Sequence, residues 1–410
     1  MSKPYAAMQR VFADLHVHIG AARGRPVKIT AARSLTFSAI ARECTRRKGI
    51  TMVGIVDCAS PAVLREIQSL IASGEMTELS GGGLRYKEAL TIILGSEVEA
   101  VEESGACAHY VCYFPGLREL AAFSKILSGL VKNADLSSQR CFLLAQQVWE
   151  LCNSTGGFLV PAHAFTPHKS IFGSCVRRLA EAFNDDALSS IPAIELGLSA
   201  DSNMADHIGE LAAFAFVSNS DAHSLPNIAR EHNLLELEQP DYSELLMALR
   251  RQKGRRVAAN YGLDPRLGKY HRTFCLQCER VSTARPPVLA CDACGSDSIV
   301  LGVLDRLVQI QDWPDPRPPE HRPPYIHQVP LRFIPGVGPV ALGRLLDRFG
   351  TEMSVLHDIP QEELATVVGK RLTAAIVAAR EGTLPLQAGG GGRYGRAITS
   401  ARESQMALML

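Results

Sequence analysis

The chain has 410 residues, 46% of them hydrophobic and 21% charged, which is an ordinary globular balance with enough length for two or three domains. Its formal net charge of +1 neither demands nor forbids a nucleic-acid partner, and it excludes only attraction by a large net positive charge. Any basic surface must therefore be local. One local cluster fits either a solvated helix end or a phosphate-facing patch: Arg250, Arg251, Lys253, Arg255 and Arg256.

The N-terminal segment has no long apolar core of the kind that a secretory signal carries. No run of 18 apolar residues follows, so no membrane span is expected. Four of the eleven cysteines form two CxxC pairs, and the other seven are scattered. An odd number without framework spacing favours reduced thiols in a cytoplasmic protein over a disulfide scaffold.

Seven short apolar runs alternate with helical patterns over residues 1–260. Near-continuous apolar strands that alternate with helices predict a parallel sheet buried on both faces, and seven of them predict a closed or nearly closed α/β barrel. Two of the helical patterns cover residues 139–157 and 242–254, with glycine stops at Gly156 and Gly254. The runs span 11–16, 51–57, 90–97, 110–114, 158–163, 193–198 and 214–221.

The composition changes after residue 260. Residues 261–311 contain both CxxC pairs and predict a small separate domain. Residues 312–330 are rich in proline, which fixes φ and removes donors, and predict an extended connector. Helical periodicity returns over 331–381, and the glycine-rich segment 388–396 predicts a loop. The third predicted domain is therefore residues 312–410.

Histidines and carboxylates recur at the ends of the seven predicted strands. His16 and His18 form an HxH pair, and residues two apart in a strand face the same side, so both rings can reach one ion. Asp221 and His223 form a similar DxH pair after the seventh strand. The remaining candidates are Asp57, Glu97, His109, His163 and Glu195.

A lone histidine at a strand end more often indicates an ordinary hydrogen-bonded side chain than a ligand. Nine such residues in register predict a cluster of metal ions, because buried charges are costly unless they are paired or metal-bound. Catalytic groups of barrel enzymes converge at the carboxyl ends of the strands. A mixture of imidazole and carboxylate suits Zn²⁺, Mn²⁺ or iron, and a shared carboxylate is the usual bridge in a site that splits a phosphodiester.

The segments LHVH, VDC, GSEVE and SNSDAHS, with the later histidines, resemble the polymerase and histidinol phosphatase (PHP) superfamily. The resemblance implies a distorted (β/α)7 barrel with two to three divalent ions, Zn²⁺, Mn²⁺ or Mg²⁺. The ligands that it implies are His16, His18, Glu97 and Asp221 for the first ion, Glu97, His109 and His163 for the second, and Asp57 and His223 for the third. The first four are also the expected catalytic residues.

The chain departs from the PHP pattern in two places. The usual histidine shortly after the HxH pair is missing, and the usual Asp-His after the second strand is Asp57-Cys58. Both departures weaken the expected third site. Glu195 is expected as a ligand, as a group that supports the ligands, or as part of the substrate pocket.

The two CxxC pairs have the spacing C-x2-C-x12-C-x2-C, and their cysteines are Cys275, Cys278, Cys291 and Cys294. Each pair can hold one side of a tetrahedral ion, and Gly295 permits the turn that follows the second pair. Two paired knuckles favour zinc over a redox pair. Four cysteines leave no open position, so this ion is expected to be structural.

Residues 334–350, IPGVGPVALGRLLDRFG, have the form of a helix-hairpin-helix. Glycines Gly336 and Gly338 would let backbone N–H groups approach a DNA phosphate at the start of the next helix. Such contacts position a duplex without reading its sequence. A degenerate second hairpin is expected at Gly369 and Lys370. A lone GxG would indicate only a turn, and the neighbouring phosphoesterase and ribbon motifs favour DNA binding.

The order of these parts, with HRPPY and a late GGGGRYG, resembles the endonuclease Q family over about residues 10–400. The resemblance implies a DNA repair endonuclease that cuts 5′ to deaminated bases (uracil, hypoxanthine or xanthine) or abasic sites. The resemblance is also compatible with repair or replication proteins as partners. The residues by themselves support a metal phosphoesterase that binds nucleic acid. Two alternatives stay open, a small-molecule phosphatase and a non-catalytic DNA-binding protein with a decayed metal site.

Overall fold

A computed structural model describes residues 7–398 of the chain. Its strands, in chain order, are β1 Gln9–Val17, β2 Ala21–Ala22, β3 Arg25–Pro26, β4 Met52–Ile55, β5 Met76–Glu78, β6 Leu84–Tyr86, β7 Leu90–Val101, β8 Cys107–Phe114, β9 Phe158–Pro161, β10 Ala193–Glu195, β11 Ala215–Val217, β12 His232–Leu237, β13 Arg256–Gly262, β14 Phe274–Cys275, β15 Ile299–Val300, β16 Tyr325–His327, β17 Leu386–Gln387 and β18 Arg396–Ala397.

The α-helices of residues 7–398 lie between these strands along the chain. They are α1 Phe37–Glu43, α2 Pro61–Ala72, α3 Leu117–Ser128, α4 Ala145–Ser154, α5 Asp185–Ser190, α6 Ser202–Ala205, α7 Tyr242–Leu249, α8 Val303–Ile310, α9 Pro339–Phe349 and α10 Gln361–Arg380. Gly156 follows α4 with positive φ, as its glycine stop predicted, but α7 ends at Leu249, five residues before the predicted stop at Gly254. No helix within residues 7–398 has both the length and the apolar content to cross a bilayer.

The seven predicted apolar runs form β1, β4, β7, β8, β9, β10 and β11, arranged as a distorted barrel. Strands β1, β4 and β7 are parallel neighbours, β8 and β9 continue the sheet, and β10 and β11 form a separate parallel pair beside β9. A bridge between Val17 and Ala222 joins the segment after β11 back to β1. The predicted α/β barrel class is confirmed.

The prediction of a wholly parallel sheet is wrong, because β8 runs antiparallel to both β7 and β9. Residues 102–106 alone connect β7 to β8. A parallel crossover needs about a dozen residues or more, so this short connection makes a hairpin. The reversal brings the N-terminal end of β8 to the same end of the barrel as the C-terminal ends of its neighbours.

Two further strands, β12 and β13, extend the sheet beyond β1. Buried asparagines connect them to β11: Asn233 donates to the Ser218 carbonyl at 2.9 Å and Asn260 donates to the Phe216 carbonyl at 2.9 Å. The barrel interior is filled by aliphatic side chains that alternate along the strands. Among these are Leu15, Ile93, Val111, Val160 and Val217.

The proline-rich segment 312–330 is extended, as predicted, but it is not a free connector. Its β16 pairs in parallel with β13 of the barrel sheet. Just before β16, the buried guanidinium of Arg322 pairs with Asp206 at 2.9 Å. The proposed domain boundary at residue 260 also falls inside β13, which continues to Gly262. The segment therefore belongs structurally to the barrel.

The C-terminal helices are fixed to the barrel by buried contacts. Lys48, in the turn after α1, pairs with Glu352 at 2.7 Å, and the two side chains are 2% and 5% exposed. Nearby, the ring of His357 stacks on Phe12 of β1 at a centroid distance of 5.8 Å. A buried ion pair holds its geometry only when both partners are present. The DNA-binding candidate region thus has a set orientation relative to the barrel.

We expect the substitution Glu352→Gln to lower the free energy of unfolding by about 3 kcal/mol, because it leaves the Lys48 ammonium buried without a counter-charge. Thermal unfolding at neutral pH measures this effect. The control is Glu75→Gln, which breaks an exposed pair with Lys87 and should leave the unfolding midpoint unchanged. Equal midpoints for both variants and the parent would contradict the assigned role of the buried pair.

Candidate metal centre and DNA-binding surface

The predicted ligand residues converge at one end of the barrel. His16 lies near the end of β1, Glu97 lies within β7, and His109 lies near the N-terminal end of β8. His163 and Asp221 lie in the loops after β9 and β11, and both have unusual positive φ values of 31° and 45°. Non-glycine residues hold such backbone angles only where the surrounding structure fixes them, which is typical of functional sites.

Glu97 is at the centre of the cluster. Its Oε1 lies 3.5 Å from His16 Nε2, 2.8 Å from His109 Nδ1 and 3.6 Å from His163 Nε2. Its Oε2 lies 3.8 Å from His18 Nε2. One carboxylate therefore faces four imidazoles, which is the arrangement expected of a ligand shared between ions.

Asp221 faces the same space from the opposite side. Its Oδ1 lies 3.7 Å from His16 Nε2, 3.3 Å from His18 Nε2 and 3.4 Å from His223 Nδ1. The cluster thus contains three overlapping groups with ligand atoms close enough to share an ion. The groups are His16, His18 and Glu97; Glu97, His109 and His163; and His18, Asp221 and His223.

The ring nitrogens in the centre of the cluster fit metal ions. Within the described part of the chain, His16 Nε2, His18 Nε2 and His109 Nδ1 are buried without a hydrogen-bond partner. For His109 the 2.8 Å approach to Glu97 lacks hydrogen-bond geometry. Buried polar atoms are rarely left unpaired, and three orphaned imidazole nitrogens beside carboxylates are the donor set of a divalent ion.

Three carboxylates lie behind these histidines. Glu195 is 3.0 Å from His16 Nδ1, Asp57 is 3.0 Å from His18 Nδ1, and Glu99 is 3.3 Å from His109 Nε2. A carboxylate on the second ring nitrogen fixes the tautomer and orientation of a ligating histidine. Glu195 and Asp57 therefore support the rings. The expected pairing of Asp57 with His223 is not seen, and His18 takes the place of Asp57 in the third group.

The electrostatics of the cluster favour cations. Burial disfavours the charged form of Glu97, but His109 and Lys28 outweigh it and hold the pKa of Glu97 well below its usual value. Burial likewise opposes protonation of His16, yet Glu195 and its other acidic neighbours raise the pKa of His16 well above the usual value. Negative charge that stabilises a bound proton would also stabilise a metal ion in its place.

Two polar residues near Glu97 were not singled out from the sequence. Lys28 Nζ lies 2.7 Å from Glu97 Oε2 and 2.6 Å from Ser138 Oγ, and Ser138 also hydrogen-bonds Glu97. Neither residue belongs to a strand-end pattern, so spacing could not have identified them. Glu99 could have been found, because it is two residues from Glu97 in one strand and so shares its face.

A cavity of about 420 Å³ opens onto the cluster. Its metal-facing side contains His18, Glu97, His109, His163, Asp221 and His223. Its lining also includes basic and aromatic side chains: His168, Lys169, Lys269, Tyr270 and Tyr394. Positive charge and aromatic rings beside a metal cluster suit a ligand that combines a phosphate with a flat ring.

The four CxxC cysteines come together as predicted. Cys275 Sγ lies 3.7 Å from Cys294 Sγ, and Cys278 Sγ lies 3.6 Å from Cys291 Sγ. A zinc ion with Zn–S bonds of about 2.3 Å requires S···S distances of about 3.8 Å in a tetrahedron. The Cys278 N–H points at Cys275 Sγ and lowers the pKa of Cys275 to about 7, which favours the thiolate. Structural zinc is therefore the fitting ion.

We expect Cys275→Ser to lose about one zinc per chain and to lower the free energy of unfolding by at least about 2 kcal/mol, because ligation energy is folding energy in such a site. The matched control is Cys107→Ser, a half-buried thiol outside the cluster. Metal analysis and thermal unfolding of both variants measure the effect. Full zinc content in Cys275→Ser would contradict the ribbon assignment.

The predicted hairpins lie at two exposed turns of the C-terminal region. Gly336 has φ +91° before α9, and Gly338 is the residue that caps α9, with Pro339 at its first position. The second hairpin is a break at Gly369, with φ +74°, between two helical halves of α10. Gly369 and the following Lys370 are exposed. Open space in front of Gly338 and Gly369 leaves both turns accessible.

Two of the five basic residues in the cluster at 250–256 are paired with carboxylates. Arg255 pairs with Glu238 at 2.7 Å and Glu244 at 2.9 Å, and Arg256 pairs with Glu236 at 2.7 Å. For Arg255 and Arg256, these contacts favour a structural role over contact with a phosphate.

Comparison with known proteins agrees with this architecture. No protein-family model matches the chain. The chain is 46% identical over 394 residues to the uncharacterized protein YqxK of Bacillus subtilis (strain 168), covering 95% of this chain and 99% of YqxK.

Two solved structures match with a TM-score of 0.82 and 31% identity. The first is the lesion-specific endonuclease PfuEndoQ from Pyrococcus furiosus, with 96% of each chain covered. The second is endonuclease Q in complex with a 27-mer duplex substrate that has an abasic lesion at the active site, with 96% of this chain and 98% of that chain covered. The chain therefore belongs to the endonuclease Q family.

Proposed function

We propose that this protein, a metal-dependent DNA endonuclease, hydrolyses the phosphodiester on the 5′ side of a deaminated base (uracil, hypoxanthine or xanthine) or of an abasic site. The observation that supports the proposal most combines a solved relative with the metal-ligand groups of this chain. A relative that aligns over nearly the whole chain was solved with an abasic duplex at its active site, and the corresponding barrel here carries three overlapping groups of metal-ligand residues.

The chain's own residues would hold two or three divalent ions, such as Zn²⁺, Mn²⁺ or Mg²⁺, at the end of the barrel. When bound, such ions lower the pKa of water and stabilise negative charge on phosphate oxygens. Glu195, Asp57 and Glu99 fix the ring orientation of three histidines from behind. The groups that would contact ions are His16, His18, Glu97, His109, His163, Asp221 and His223.

The cavity beside the cluster would receive the nucleotide that follows the cut. An altered base inside a duplex must be turned out of the stack to be recognised, and mispaired bases cost least to extrude. Lys269 offers positive charge for the backbone, and Tyr270 offers a ring face. With the cavity beside the metal-ligand groups, the reacting phosphate and the displaced base would lie side by side.

The two hairpins would hold the duplex through its phosphates. A Cβ added at Gly338 meets no atom within 4 Å, and the backbone φ there is −78°, so a larger side chain is compatible with the fold. The same side chain would occupy the space that a phosphate needs to reach the start of α9. Gly336, with positive φ, would be strained by any substitution. Gly338 is therefore the position at which DNA contact and folding can be separated.

We expect Gly338→Val to weaken duplex binding about tenfold, roughly the loss of one charge-assisted hydrogen bond. Damaged and undamaged duplexes should lose affinity equally, because phosphate contacts carry no base information. Fluorescence anisotropy over a range of salt concentrations measures this. The control is Gly343→Ala on the same helix, where an added Cβ also meets nothing within 4 Å. A change of lesion preference with unchanged affinity would refute this role.

One panel of substrates tests the proposed activity. The protein is incubated with Mn²⁺ and duplexes that carry a single uracil, hypoxanthine, xanthine or abasic site, with an undamaged duplex and a phosphomonoester in parallel. Cutting of the lesion-bearing duplexes alone is expected. Turnover of the phosphomonoester alone would support a small-molecule phosphatase instead. Binding of duplex without any turnover would support a non-catalytic DNA-binding protein.

A further inference from the structure

The glycine-rich C-terminal segment is not a free loop, because it returns to the rim of the catalytic cavity. Its backbone N–H groups donate to the segment between barrel and ribbon: Gly389 to the Arg266 carbonyl at 2.7 Å and Gly395 to the Leu267 carbonyl at 3.0 Å. A Cβ at Gly389 would lie 2.5 Å from the Gly268 carbonyl oxygen. Such an approach between two backbones is possible only for glycine. The glycines thus bring one side chain, Tyr394, to the cavity.

Tyr394 contacts a buried arginine of the catalytic barrel. Its hydroxyl oxygen accepts a hydrogen bond from Arg230 Nη1 at 2.7 Å, and its ring lies 5.4 Å from the Arg230 guanidinium carbon. Arg230 is only 4% exposed, and its side-chain hydrogen bonds go to neutral acceptors: the Tyr394 hydroxyl and two backbone carbonyls. A buried cation needs compensation, and here a hydroxyl, an aromatic face and backbone carbonyls supply it.

The carbonyls that Arg230 holds belong to the metal-ligand loop. Arg230 Nε donates to the Ser220 carbonyl at 2.8 Å, and Nη2 donates to the Asp221 carbonyl at 3.3 Å. Asp221 has the unfavourable φ of 45°, so its backbone depends on outside contacts to keep its conformation. A continuous chain of hydrogen bonds therefore connects the tail to a predicted metal ligand that precedes it by 173 positions.

We propose that Tyr394 is a positioning residue of the metal centre: through Arg230 it holds the Ser220–Asp221 backbone in the conformation that directs Asp221 at the ions. Through this one side chain, the glycine-rich segment supports the metal centre in addition to following the DNA-binding region. This inference rests on the proposed function for its kinetic readout alone, since metal affinity can be measured without any substrate.

The test compares Tyr394→Phe, which keeps the ring and removes the hydroxyl, with Gln387→Ala in the same tail, whose side chain accepts only a surface contact from Arg396. We expect Tyr394→Phe to bind Mn²⁺ about tenfold more weakly in calorimetric titration, the effect of one lost hydrogen bond to a charged group. Its amides at 219–223 should exchange faster with deuterium. Half-maximal cutting should need about tenfold more Mn²⁺, and saturating Mn²⁺ should restore the parent rate.

A second variant, at Arg230, tests whether Tyr394 acts on the metal centre through Arg230. Arg230→Lys should weaken Mn²⁺ binding on its own, and adding Tyr394→Phe to it should weaken binding little further, because both remove the same contact. An unchanged Mn²⁺ affinity in Tyr394→Phe would overturn the proposal. So would a lower unfolding midpoint without any metal rescue, since that would indicate a purely structural tail. If the parent protein cuts no duplex, the proposed function fails, and the Mn²⁺ titration still decides this inference.

Discussion

Replacing Glu97 with Gln should reduce cutting of a lesion-bearing duplex by at least about 1000-fold, well beyond the 10–100-fold typical of outer-shell partners. Its two oxygens face nitrogens of four histidines at 2.8–3.8 Å, so a neutral amide would remove charge from two ligand groups at once. The amide would also point an N–H donor at ring nitrogens that require an ion. Single-turnover cutting, with circular dichroism to verify folding, measures the effect.

The matched controls are Asp57→Asn and Glu195→Gln, because these carboxylates contact the outer nitrogens of His18 and His16. Each should lose about 10–100-fold in metal affinity or cutting, the range observed for groups that orient a ligand. A loss at Asp57 or Glu195 that equals the loss at Glu97 would contradict the assignment of Glu97 as the shared ligand. So would retention of more than a tenth of the parent rate in Glu97→Gln.

Removal of divalent ions from the barrel should abolish cutting, with a loss of at least about 1000-fold, and addition of Mn²⁺ or Mg²⁺ should restore it. Stripping should also lower the unfolding midpoint, because buried carboxylates and imidazoles would then repel or lose their partners. Added ions bind the folded chain and should raise the midpoint with concentration. Metal analysis before and after dialysis against a chelator accompanies the cutting assay.

Zinc bound by the four cysteines would serve as the internal reference for this experiment. Its four thiolates leave no open position, so a mild chelator should remove barrel ions first and leave about one zinc per chain. Cys275→Ser provides the converse, with barrel ions kept and ribbon zinc lost. Cutting that persists when the barrel ions are gone would refute a metal-dependent reaction at this site.

The sequence was most informative where ligand residues follow the strand pattern. His16 and His18 could be assigned to one face because side chains alternate along a strand. Asp221 and His223 could be identified as a DxH pair after the seventh apolar run, although they lie in a loop and not in a strand. These residues lie together in the structure because the strand ends meet at one end of the barrel. The CxxC spacing was equally informative, since each knuckle is a local structure.

Other features depend on contacts between distant parts of the chain, which spacing cannot reveal. Lys28 reaches Glu97 across 69 positions, and Arg230 reaches Tyr394 across 164. The role of Asp57 depended on which ring nitrogen of His18 faces inward, which only three-dimensional geometry decides. The proline-rich segment was predicted to be a connector because its many prolines argue against a strand. The segment nevertheless contains a short strand that pairs with β13.

The most direct test of the proposed reaction maps a single cut. A duplex with one uracil and a label at either end is incubated with the protein and Mn²⁺, and the product ends are identified. We predict one nick on the 5′ side of the uracil, with a 3′ hydroxyl that a polymerase extends directly and a 5′ phosphate on the lesion-bearing fragment. Release of free uracil, or equal cutting of the undamaged duplex, would contradict the proposed function.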